Sequence, residues 1–76
     1  MDEIIQIKAM RKFHNLTQEQ FAKKLGFSRS VISDVESMRR KPSANLLLAI
    51  SRNFERTDEF FSFLDTFIKI EYKNPI

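Results

Sequence analysis

A single glycine, Gly26, occurs in a chain of 76 residues. Glycine takes up left-handed backbone without steric cost, and the tight hairpins of β-folds depend on it. Phosphate-cradling loops and dinucleotide fingerprints need several glycines at fixed spacing and are excluded on the same ground. Helices joined by short polar connections remain. With no cysteine, disulfides, thiolate metal sites and cysteine nucleophiles are also excluded. The one histidine, His14, cannot make a zinc site alone. No paired carboxylates or activated nucleophile stand out, so the chain is not expected to be an enzyme. No metal, cofactor or small-molecule ligand is expected either. A chain this short, without a covalent staple, must pack its helices closely or share a core with a second chain.

The longest apolar run, Leu46-Leu47-Leu48-Ala49-Ile50, is far too short to cross a bilayer. Met1-Asp2-Glu3 offers no basic segment leading into an apolar one, so no signal peptide is expected. These features predict a soluble, cytoplasmic protein with no membrane contact.

Apolar spacing predicts five helices. Asp2 and Glu3 suit a helix start, and Ile4, Ile7 and Met10 form one face of a helix ending near Phe13. After the break at His14-Asn15-Leu16, Thr17 and Gln20 have the spacing of a capping box. Phe21, Ala22 and Leu25 then face inward, and Gly26 ends this second helix. Ser28 caps a third, with Ile32 and Val35 inside and Arg29, Ser30, Ser33, Asp34 and Ser37 outside. Ser43 caps a fourth, whose inner face is expected at Leu47, Ile50 and Phe54, with Leu46 adjacent. Thr57 caps a fifth, with Asp58 and Glu59 in its first turn.

The apolar residues of helix five cover about half its circumference, wider than the roughly 100° that a surface helix buries. Either the whole band packs on helices one and four, or it divides. The small size of the domain favours division: Phe61, Leu64 and Ile68 inward, and Phe60, Phe63 and Phe67 toward a second chain. Residues 69–73 alternate polar and apolar like a short strand, or form a frayed tail. The expected organisation is one domain over 1–68 and a short C-terminal tail over 69–76.

The net charge of +3 is uneven. Residues 8–41 hold nine bases against three acids, whereas residues 42–76 hold four against five. Such a basic half suits contact with a polyanion. Residues 17–37 read as two short helices joined by a tight turn, the second with small polar residues outside. That is the pattern of a helix-turn-helix, in which the second helix enters the major groove of double-stranded DNA.

Here the sequence resembles the Cro/repressor-type (XRE) helix-turn-helix family. The resemblance rests on Leu16-Thr17-Gln18-Glu19, Ala22, Leu25-Gly26, Ser28-Arg29-Ser30, Ile32-Ser33, Val35-Glu36 and Lys41-Pro42-Ser43. It covers roughly residues 4–65 and implies an all-α, compact five-helix repressor-like domain with the motif at helices two and three. It further implies that Arg29, Ser30 and Asp34 read bases. Asp34 would either accept from cytosine N4 or have the blander role of orienting Arg29 or tuning solubility. Thr17, Gln18, Ser37, Arg39, Arg40 and Lys41 would hold phosphates, with Gln18 also bracing the recognition helix. Arg11 and Glu36 would form a partly buried structural ion pair, which takes Arg11 off the DNA face. Ser33 would neighbour the DNA backbone, Lys23 and Lys24 would be solvated, and His14 would be a loop residue.

Family members often carry glycine near positions 38 and 55, where this chain has Met38 and Glu55. Either these helices end differently or a left-handed residue other than glycine is tolerated at a cost of roughly 1–2 kcal/mol. The resemblance implies a sequence-specific transcriptional regulator, of phage-repressor, Cro-like or restriction–modification-controller type, binding an inverted repeat as a homodimer. With no separate sensor domain expected, its regulation would follow protein concentration and operator arrangement. The alternatives are a DNA-binding antitoxin and a helical adaptor using the same fold for protein contacts.

Overall fold

The computed structural model describes residues 3–72. Asp2 and the tail residues 73–76 lie outside them. Five helices follow in chain order: α1 (Glu3–Phe13), α2 (Gln18–Leu25), α3 (Arg29–Glu36), α4 (Ala44–Asn53) and α5 (Asp58–Glu71). No strand occurs among the described residues. Helix α1 packs against α3 and α5, and α2 against α3 and α4. No helix of the described residues is long and apolar enough to cross a membrane.

Four starts share one device. The Thr17, Ser28, Ser43 and Thr57 side chains each accept from the backbone N–H three residues on. At Thr17 the Gln20 side chain returns the favour, accepting from the Thr17 N–H at 2.9 Å and completing a capping box.

Three consecutive helix ends also share one device, in which a left-handed residue lets two backbone N–H groups reach back to orphan carbonyls. After α1, Asn15 (φ 57°) donates to Lys12 O at 2.9 Å and Leu16 to Arg11 O at 3.1 Å. After α2, Gly26 (φ 77°) donates to Lys23 O at 3.3 Å and Phe27 to Ala22 O at 2.9 Å. After α3, Met38 (φ 67°) donates to Val35 O at 3.1 Å and Arg39 to Asp34 O at 2.8 Å. Thus one such turn in three uses glycine, and Met38 tolerates the left-handed conformation. Helix α4 ends differently, with Phe54 extended at φ −136°, so Glu55 has no need to be glycine.

The core holds Ile7, Met10, Phe21, Leu25, Ile32, Val35, Leu46, Ile50, Phe54, Phe60, Leu64 and Phe67. Aromatic rings run through it: Phe21 meets Phe54 at 5.3 Å between centroids, and Phe13 meets Phe60 at 5.6 Å and Phe63 at 5.3 Å. The His14 ring lies against Phe54 at 4.9 Å, an edge-of-core packing role for this loop residue.

Three expectations are corrected. In α4 the inner stripe is Leu46, Ile50 and Phe54, one residue apart from the expected set, and Leu47 is half-buried. Four-residue steps from Leu46 keep that stripe against α2. In α5 Leu64 faces inward as expected, but the division of its phenylalanines is overturned. Phe60 is fully buried and Phe67 is 6% exposed, whereas Phe61 is 48% exposed. Phe63 and Ile68 are half-buried. The cause is Phe13 at the end of α1, whose ring draws Phe60 and Phe63 inward. Phe60 and Phe67 therefore belong to the chain's own core and not to a surface for a second chain. Finally, Lys69, Ile70 and Glu71 are helical and not strand-like. Asp65 pairs with Lys69 at 3.1 Å one turn on, and Glu71 meets Lys8 of α1 at 3.9 Å.

Candidate nucleic-acid interface

Helix α3 presents its residues by a simple division. Ile32 and Val35 are fully buried against α1 and α2, which turns Arg29 and Ser30 to solvent in the first turn. The tight turn between α2 and α3 sets this orientation. A Cβ at Gly26 would meet nothing within 4 Å, so glycine is there for its backbone conformation and not for space.

Behind α3, Arg11 and Glu36 make a two-pronged pair. Arg11 Nε donates to Glu36 Oε2 at 2.7 Å and Nη2 to Oε1 at 2.9 Å. The third guanidinium nitrogen, Nη1, donates to Leu16 O at 2.9 Å. Gln18 Nε2 adds a donation to Glu36 Oε1 at 3.2 Å. The Glu36 carboxylate at the end of α3 thus ties α1 to the first residue of α2, and Arg11 adds the loop before α2. Such planar, charge-assisted geometry is specific to arginine. Arg11 is buried there and does not face the solvent side of α3.

At the other corner of α3's C-terminus, Asp34 organises the loop. Its carbonyl accepts from the Arg39 N–H and, at 3.2 Å, from Ser37 Oγ. Its carboxylate Oδ1 lies 3.5 Å from Arg39 Nε. Residues at these two positions of a left-handed helix end often make an apolar contact; here an ion pair replaces it. Asp34 is therefore paired to Arg39 and not to Arg29. Arg40 and Lys41 follow in the same exposed loop. Gln18, just after Thr17, meets the end of α3 through Glu36, and Ser37 and these bases follow α3 in the chain, while Arg29 and Ser30 occupy its N-terminal end.

Two residues without a role in the sequence analysis join this surface. Lys8 and Lys12, one turn apart on α1, line an open cleft with Arg11, Gln18, Ser33, Glu36 and Ser37. Their four-residue spacing is visible in the sequence, but nothing local says that α1 lies beside the end of α3.

A short helix, a tight left-handed turn and a second helix with a small polar outer face define a helix-turn-helix protein. A family model described as helix-turn-helix matches residues 7–61, and the chain belongs to that family, of the Cro/repressor (XRE) type. An uncharacterised HTH-type transcriptional regulator of Methanocaldococcus jannaschii is 46% identical over 48 residues, covering 63% of this chain and 73% of that protein. The immunity repressor protein of Bacillus phage phi105 is 47% identical over 45 residues, covering 59% of this chain and 31% of that one. An HTH-type regulator of Bacillus subtilis is 31% identical over 70 residues, covering 90% of this chain and 62% of that protein. The chain thus spans less than two thirds of the last two relatives. No solved structure matches.

Proposed function

We propose that the chain is a sequence-specific transcriptional regulator that binds double-stranded DNA in the major groove and pairs two copies on an inverted repeat. The exposed first turn of α3, a helix anchored at its other end by the partly buried Arg11–Glu36–Gln18 network, is the observation that carries this proposal. Arg29 offers a guanidinium suited to a guanine edge and Ser30 a hydroxyl that can donate or accept. Asp34, further along the helix, would accept from cytosine N4 while holding Arg39. Thr17, Gln18, Arg39, Arg40 and Lys41 would bind phosphates and set register without reading sequence, with Ser37 bordering the same path while its hydroxyl donates to Asp34 O. The relatives named as regulators and as an immunity repressor support transcriptional control.

One such helix reads only a few base pairs. Two copies spaced by a helical turn, about 34 Å, would read a symmetric site. Exposed Phe61 on one flank of α5, and exposed Ile70 with half-buried Phe63 on the other, are apolar surfaces available for that pairing. Selection of bound sites from random duplexes tests the proposal as a whole. An inverted repeat of two short half-sites is expected; selection of no sequence at all would overturn it.

A further inference from the structure

We infer that the cleft between α1, α2 and the end of α3 is a seat for a DNA backbone phosphate, with Lys12 as its cation. The inference deepens the regulator assignment and rests on it.

Three helices build the cleft: Lys8, Arg11 and Lys12 from α1, Gln18 from α2, and Ser33 and Glu36 from α3, closed by Ser37. The donors in it are unequal. Arg11 is spent on Glu36 and Leu16 O, and Ser37 Oγ on Asp34 O. Lys8 is drawn toward the C-terminal end of α5, with Nζ 3.9 Å from Glu71 and 5.9 Å from the centroid of the Tyr72 ring. Lys12 is exposed and makes no ion pair among the described residues. Gln18 gives one amide hydrogen to Glu36 and keeps the second. Ser33 brings a hydroxyl from the middle of α3.

The one carboxylate in the cleft does not oppose an anion. Glu36 takes both prongs of Arg11, and its side chain is only 4% exposed. A phosphate would therefore meet one unspent ammonium, a primary amide and a hydroxyl, with Lys8 one helical turn away. This set lies along the edge of α3 that bears Ser33 and Ser37, so the DNA strand passing that edge would run over α1. The inference thus extends the phosphate-binding surface from the helix-turn-helix to the first helix.

The test is duplex binding measured over a range of salt concentrations, on a selected site and on an unrelated duplex. Lys12→Gln keeps most of the stem and removes the charge. It is expected to make the slope of log K against log salt shallower by about 0.9 on both duplexes. The affinity loss is roughly fivefold near physiological salt, with the selected sequence unchanged. Lys23→Gln, the same change at an exposed lysine of α2 outside this cleft, should leave the slope as it was. A Lys12→Gln slope equal to wild type, or equal losses in the two variants, would overturn the phosphate seat and leave the regulator assignment standing. A wild-type chain with no salt-sensitive duplex affinity would overturn both.

Discussion

Arg11 and Glu36, 25 residues apart in sequence, face each other through two hydrogen bonds of 2.7 and 2.9 Å, with side chains 9% and 4% exposed. Removing either partner leaves a charge buried without its complement. Arg11→Ala is expected to destabilise the fold by about 3–5 kcal/mol. A paired replacement, Arg11→Met with Glu36→Leu, should recover most of that loss. Urea unfolding of the single and double variants measures both. A single-variant loss below about 1 kcal/mol would show that water has replaced the partner.

Met38 holds a left-handed conformation at φ 67° with its side chain largely in solvent. Met38→Gly relieves the steric cost and opens no cavity, at the expense of a looser unfolded chain. A gain of about 1 kcal/mol is expected, or roughly 4–8 °C in the melting temperature of a domain this size. Thermal unfolding checks it. A fall in melting temperature would mean that the Met38 side chain contributes packing.

Arg29→Ala and Ser30→Ala should leave the melting temperature nearly unchanged, because both residues are exposed at the start of α3. On the proposed reading, their effect is expected on base preference. For Arg29, discrimination at one position of each half-site should fall by roughly 1–3 kcal/mol. Site selection with each variant measures this; an unchanged selected site would remove the residue from the base-reading set.

Asp34 and Arg39 form an exposed pair, worth at most about 1 kcal/mol to stability. Asp34→Ala removes a negative charge beside the proposed phosphate path and releases Arg39. Binding to an unrelated duplex should tighten, while the preference among selected sites weakens. Competition binding with the two duplexes checks both parts. If both affinities fall together, Asp34 acts chiefly by shaping the loop through Arg39.

Phe60 and Phe61 are neighbours with opposite surroundings, one fully buried and one half exposed. Phe60→Glu should unfold the chain, seen by circular dichroism. Phe61→Glu should keep the helical signal and, if α5 joins two copies, shift sedimentation from dimer toward monomer. A folded Phe61→Glu variant that stays dimeric would place the contact elsewhere.

Local chemistry alone determined a good deal of this protein. Thr17, Ser28, Ser43 and Thr57 mark four helix starts because capping is a matter of three or four adjacent residues. Gly26 marks the motif's turn, and the spacing of Ile32 and Val35 turns Arg29 and Ser30 outward. Other features depended on neighbours distant in sequence. The apolar band of α5 is too wide to show its inner face; Phe13, from the other end of the chain, selects Phe60 and Phe63. Met38 gives no local sign of left-handed backbone, yet two hydrogen bonds to the end of α3 hold it there. Lys12 looks like any solvated lysine until packing sets α1 beside α3. Caps and turns are legible because their energies arise within a few residues. Which face is buried, and which charge borders which cleft, is decided by helices that meet only after the chain has folded.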